Sequence, residues 1–259
     1  MFDTQAVAIS FGKAAGQYDQ HAHLQQQVRS HLLKVALPYW TDDTNVLDLG
    51  CGTGALREEA RTHRKHISLV GLDVAAGMCS MSRARNLPVV QALAQAVPFA
   101  SGSFDLVFSS LMLQWLSHPT LAFAEIARLL RPGGTAAIAT LTDGTLKELK
   151  SAFAALDGLP HISDFHMPHS ILCCAEQGGM QLCLARQKTI IEYYPDTIAL
   201  MRSIKAIGAS NKHKGRSKGM MTPAKLAKLE QMYNTRYGRS QGLPASWQVL
   251  TMVLRKGQP

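Results

Sequence analysis

Residues 46–54 read Val-Leu-Asp-Leu-Gly-Cys-Gly-Thr-Gly: a short apolar run carries one acid, Asp48, and then breaks into glycines at 50, 52 and 54. Alternate glycines let a backbone turn sharply and approach a ligand closely. A strand that leads through such a turn into a helix also leaves N–H groups facing whatever binds there. A plain tight connection between strand and helix would use the same residues. A second apolar run over 67–72 ends in Asp73. Its distance from the glycines, roughly 20 residues, is where a nucleoside-binding sheet places the acid that takes two ribose hydroxyls. The third glycine comes one position earlier than the dinucleotide fingerprint requires, which argues against a pyrophosphate.

Alternating strands and helices from residue 45 onward predict a parallel sheet covered on both faces. Strands are expected at 45–49, 67–72, 88–91, 104–109 and 135–141, and helices at 55–64, 78–86, 121–130 and 145–156. The connection through Pro160 and Pro168 reads as irregular. Two further strands, 180–194 and 247–255, are rich in β-branched and aromatic residues. Between them lie helical patterns at 197–207 and 223–237, an insertion placed to form a lid. The periodicity of Val28, Leu32, Leu33 and Val35 predicts a helix over 17–38. The segment before it, with Phe11 and Tyr18 seven apart, is too small and polar for a core helix. Its aromatics either pin the segment to the domain or close over a site as part of a lid.

With 259 residues, 46% of them hydrophobic, the chain can bury a full core. One α/β domain is expected: an N-terminal helical segment (1–40), a cofactor-binding core (41–194), a helical insertion (195–246) and a last strand (247–259). No run of eighteen apolar residues and no basic leader predict neither a membrane span nor a secretory signal. The five cysteines lack metal-ligand spacing, so no metal site is expected and a reduced cytoplasm fits. The charge of +9 is uneven. Residues 201–259 hold 12 Lys and Arg against a single acid, Glu230, while residues 1–200 hold 15 against 17. Such asymmetry points to an acidic partner, whether nucleic acid, anionic lipid or protein.

The string from Asp48 through Gly54 resembles motif I of the class I S-adenosylmethionine-dependent methyltransferases. The resemblance implies a Rossmann-like α/β fold with a seven-stranded, mostly parallel sheet, an antiparallel last strand and a helical lid. It also implies S-adenosylmethionine as cofactor, with S-adenosylhomocysteine as product. Within it, Asp48 helps to hold the methionine ammonium, Gly50, Cys51, Gly52 and Gly54 form the loop, and Asp73 with Val74 meets the ribose. Met78 lies against the adenine, although a core methionine is an equally good reading of that position. Related enzymes have an acid near the adenine amino group; Leu93 stands there instead, leaving the N–H of Ala94 to meet the ring and removing one acceptor worth about 1 kcal/mol. Gln95 is a candidate replacement. Ser109 closes the cofactor set.

After the fourth strand no acid or Asn followed by Pro-Pro appears, and no His-centred base is evident. A carboxylate nucleophile needs none, being ionised at pH 7. Its expected anchor is a cation on the lid: Arg202 and Lys205 lie three apart on one helix face. The Phe11–Ala15 and Tyr18-Asp19 residues, Gln114-Trp115, and Met201 through Ala209 together resemble the malonyl-[acyl-carrier protein] O-methyltransferases of biotin synthesis. That resemblance implies methyl transfer to the free carboxylate of a malonyl thioester, in a pocket including Tyr18, Gln114 and Trp115, by a monomer. The partner is an acidic acyl carrier protein, docked on Lys212, Lys214, Arg216 and Lys218, with neither nucleic acid nor membrane involved. Rival readings are a quinone or coenzyme-precursor methyltransferase and a non-catalytic, basic RNA-binding relative.

Overall fold

The computed structural model describes residues 3–159, 161–209 and 222–257. Three helices come first: α1 (Thr4–Ala14), α2 (Tyr18–His21) and α3 (His23–Ala36). Asp3 starts α1 by accepting the N–H of Ala6 at 3.1 Å, a side-chain cap of the usual kind. The segment read as too small and polar for a core helix is therefore helical as far as Ala14 and buries Val7 and Ala14. Its small residues are what allow it to sit close. A Cβ on Gly77 would stand 2.3 Å from the carbonyl oxygen of Gly12, so the two backbones meet this closely only because residue 77 is glycine; a Cβ on Gly12 would make an ordinary contact, 3.6 Å from Gly77 N.

The core follows as β1 (Asn45–Leu49), α4 (Ala55–Ala60), β2 (Ser68–Asp73), α5 (Ala76–Ala84), β3 (Val89–Gln91), β4 (Phe104–Ser110), α6 (Pro119–Leu129) and β5 (Leu130–Leu141). Then come α7 (Lys147–Asp157), α8 (Pro168–Gln177), β6 (Met180–Tyr194), α9 (Thr197–Ala206), α10 (Pro223–Tyr237) and β7 (Leu243–Lys256). The seven strands form one sheet in the order β3-β2-β1-β4-β5-β7-β6, in which only β7 runs antiparallel to its neighbours. Buried clusters lie on both faces. Trp40, Phe108 and Tyr233 belong to one, and Leu47, Phe123 and Met252 to the other.

Several elements differ from the sequence expectation. The helix expected over 17–38 is broken at Ala22 into α2 and α3, and the last strand starts at Leu243 rather than at 247. Helix α4 stops at Ala60 rather than near residue 64, because Arg64 turns back to donate to the carbonyls of Trp40 and Leu37. The Pro-Gly-Gly stretch that should end α6 lies inside β5, where the register with β4 shifts between Phe104 and Leu106. Helix α8 falls in the stretch read as irregular. Pro168 sits at its first turn, where a missing N–H is harmless, so a residue taken as a breaker is a helix start. Among the described residues no helix is long and apolar enough to cross a membrane.

The chain runs from β1 outward through β2 to β3, then returns to lay β4 on the other side of β1. The carboxyl ends of β1 and β4 therefore flank the point where strand order reverses, the place at which such sheets leave a crevice.

Candidate active site

At that crevice the backbone leaves β1 through Gly50, Gly52 and Gly54, all at positive φ (81°, 55° and 79°), a region other residues enter only with strain. The N–H groups of Gly50 and Cys51 donate to the carbonyl of Leu72 at 2.8 and 3.0 Å, folding the loop onto the end of β2. A Cβ on Gly50 would meet Met112 Cγ at 2.5 Å, so this glycine also admits the loop after β4. Asp73 closes the arrangement by accepting from the N–H of Gly52 (2.9 Å) and of Ala75 (2.8 Å).

A cleft opens over these groups. Gly50, Gly52, Asp73, Val74, Met78, Leu93 and Ala94 all line it. Met78 is 1% exposed, so it is at once a core residue and part of the wall. Leu93 is 44% exposed at the mouth, with Gln95 on the same wall. The roof is aromatic: Phe11 lies 5.2 Å from Trp115, edge to face, and 6.3 Å from Tyr18. The two roles considered for Phe11 and Tyr18 are thus one, since the residues that pin the N-terminal segment also cover the cleft.

A smaller recess continues beneath Tyr18, sharing Gly50, Gly52 and Ser110 with the cleft and reaching Asp48, Cys51 and Arg29. Asp48 is 4% exposed and accepts no hydrogen bond among the described residues. Burial raises its pKa to about 7 from 3.8, against the pull of Arg29 and with a further push from Asp73. A buried acid short of a partner at the edge of a recess suits a cationic group. Arg29, on α3, is held by Glu59 at 2.8 Å and offers the complementary charge. Together with Asp48 it makes the recess a place for an ammonium and a carboxylate side by side, the two charges of an amino acid. The residue types of motif I therefore fit S-adenosylmethionine. Arg29 escaped the sequence reading because it lies in the middle of a helix read only for its apolar face.

The remaining candidates divide. Ser109 is fully buried and spends its hydroxyl on the carbonyl of Leu49 at 2.7 Å; Ser110 and Leu111, next along the chain, face the cleft instead. Gly54 lies against Ser82 and Leu87, serving packing rather than the cleft wall. Gln114 is buried, donating to Leu111 O (2.8 Å) and accepting from Thr140 (3.1 Å). With Trp115 it lines a second cavity, which also takes in Ile204 and Ala209 from the lid. Arg202 and Lys205 are exposed on the outer side of α9 and line none of these cavities. Lys212, Lys214, Arg216 and Lys218 lie outside the described residues. No group of acids, histidines and cysteines suited to a metal occurs among the described residues.

A latch holds the roof down. Arg85 pairs with Asp19 at 2.6 Å and donates to the Thr53 hydroxyl at 2.9 Å, while that hydroxyl donates to Asp19 at 2.9 Å. Thr53 thus fastens α2 to the glycine loop.

Residues 47–138 match the family described as "Methyltransferase domain". The malonyl-[acyl-carrier protein] O-methyltransferase of Pectobacterium atrosepticum is 35% identical over 98% of this chain and 97% of that protein. The biotin biosynthesis bifunctional protein BioHC of Cellvibrio japonicus is 37% identical over 98% of this chain, which spans about half of that longer protein. Among solved structures, geranyl diphosphate C-methyltransferase from Streptomyces coelicolor, with S-adenosyl-L-homocysteine bound, superposes with a TM-score of 0.55 at 15% identity, covering 91% of this chain and 80% of that one. The last comparison concerns the fold alone.

Proposed function

Because the chain belongs to the malonyl-[acyl-carrier protein] O-methyltransferases, we propose that it transfers a methyl group to the free carboxylate of a malonyl thioester carried by an acidic acyl carrier protein, the step that primes pimeloyl synthesis for biotin. S-adenosylmethionine, when bound, supplies a methyl group on a sulfonium, which an ionised carboxylate attacks directly. The observation that carries the reading is the pair of cavities meeting at Trp115, one walled by motif I and Asp73, the other closed by the lid. One suits the methyl donor and the other an acyl group brought to it.

What the chain supplies is position and dryness. Asp48 and Arg29 would hold the two charges of the methionine end, and Asp73 the ribose. Phe11, Tyr18 and Trp115 exclude water over the point where the cavities join, which strengthens every electrostatic contact beneath them. No proton has to be moved, since a malonyl carboxylate is already ionised at pH 7. The resemblance supports Arg202 and Lys205 as the carboxylate's anchor, and a turn of α9 would be needed to bring either inward. The carrier protein is taken to dock on the basic stretch containing Lys212, Lys214, Arg216 and Lys218.

Methyl transfer from labelled S-adenosylmethionine to malonyl, succinyl and acetyl thioesters tests the reading. Methylation of malonyl thioester alone or foremost is expected, and its absence with cofactor binding intact would overturn the proposal. In the same assay Arg202→Gln should bind cofactor normally and lose roughly thirtyfold or more in kcat/KM, the loss of one end of a charge-assisted pair. Wild-type rates would pass the role to Lys205.

A further inference from the structure

Beyond the second cavity lies a third, and the two share Ser163 and Phe165. The three spaces are thus adjacent through shared walls, the motif I cleft and the second cavity at Trp115 and the second and third at Ser163 and Phe165, the third lying at the start of α7. The outer space is different in character. Asp143, Lys147, Lys150 and Ser151 line it, with side chains that reach solvent. Lys150 is paired with Asp164, whereas Lys147 makes no ion pair among the described residues. Arg236, from α10, donates to the Ser151 hydroxyl at 3.0 Å and brings a further cation to the rim. The start of α7 is firmly seated: the buried Glu148 accepts from the N–H and hydroxyl of Ser246 on β7, at 3.1 and 2.5 Å.

A carrier protein is far too large to enter a cleft roofed by Phe11 and Trp115, so its acyl group must arrive on an extended arm. Such an arm is a pantetheine thioester joined to the protein through a phosphodiester. It needs a narrow passage for its uncharged length and a cation where that length ends. We infer that the three cavities form this passage, with the malonyl end near Trp115, the uncharged arm passing Phe165 and Ser163, and the phosphate held by Lys147, assisted by Lys150 and Arg236. The inference rests on the proposed activity and adds to it an entry route and a phosphate subsite. Lys147 is then a positioning residue: it touches the far end of the substrate and contributes nothing at the reacting atoms.

Three substrates separate the parts: malonyl-pantetheine, which lacks phosphate, malonyl-4′-phosphopantetheine and malonyl-carrier protein. Lys147→Ala should raise KM about tenfold for the two phosphorylated substrates, leave malonyl-pantetheine unchanged and preserve kcat. Asp143→Asn, which removes an acid from the same rim, should lower KM for the same two. Ser163→Trp should obstruct the junction and cut kcat/KM at least tenfold for all three while S-adenosylhomocysteine binding stays at the wild-type value, which also reports that the variant is folded. Unchanged KM values in Lys147→Ala, or an equal rise for all three substrates, would overturn the passage while the activity stands. If the wild-type protein methylates no malonyl thioester, the activity reading falls and the passage with it.

Discussion

Asp48 is a buried acid to which the described residues donate no hydrogen bond. Its folded pKa lies near 7 against 3.8 in an open chain, so the ligand-free protein keeps a proton there that the unfolded chain has already lost. Stability from this group is complete below the unfolded value and declines as pH rises toward 7. A bound ammonium reverses the penalty by favouring the ionised form, and binding at low pH must therefore release a proton. Affinity for S-adenosylhomocysteine is expected to fall between pH 7 and 5.5, by up to about tenfold per unit. Titration calorimetry at several pH values checks this, and Asp48→Asn should flatten the dependence while binding more weakly throughout. Asp73 acts by acceptance rather than charge alone, already taking two backbone N–H bonds that fix its orientation. Asp73→Ala should lose binding of the same ligand, because each hydrogen bond to a charged acceptor contributes roughly 1.5 to 3 kcal/mol. An unchanged dissociation constant would place the nucleoside elsewhere.

The N-terminal helices form the element on which access to the cleft depends. Helix α1 is held by the glycine contact to α5 and by the aromatic contact of Phe11 with Trp115; α2 is held by the Asp19–Arg85–Thr53 latch. None of these is a large apolar interface, so the roof is fastened at points rather than welded to the core. Gly77→Ala tests the most demanding point. Its new methyl group would overlap the Gly12 carbonyl and push α1 away from α5, a change of the size that overpacking typically costs, about 1 to 3 kcal/mol. Because the sheet beneath is untouched, melting temperature should fall by only a few degrees, while affinity for S-adenosylhomocysteine should drop about tenfold. A variant with unchanged affinity would show that α1 is not needed for closure.

At the scale of the whole molecule, charge is segregated toward the C-terminal quarter, where cations outnumber acids twelve to one. If Lys212, Lys214, Arg216 and Lys218 guide an acidic carrier, reversing two of them should raise KM for malonyl-carrier protein, more so at low salt, and leave malonyl-pantetheine unaffected. Equal effects on both substrates would rule out a carrier-specific face. This segregation is a property of composition, legible without coordinates. So were several elements, since the strands β1 and β6 and the helix α10 have the bounds their residue patterns predicted, and so was the pairing of motif I with Asp73, because local backbone needs at a glycine turn impose residue types at fixed spacing. What sequence could not supply was anything that depends on which distant surfaces meet. Helix α1 is recognisable only once α5 is beside it. Ser109 and Ser110 look alike in the chain, and strand alternation alone decides which of them faces the cleft. Arg29 gains its meaning from Asp48, nineteen positions away on another element. Arg202 and Lys205 share a helix face by spacing, yet which way that face turns is decided by the burial of Leu200 and the packing of Met201 and Ile204 against the core, a long-range choice that local pattern does not encode.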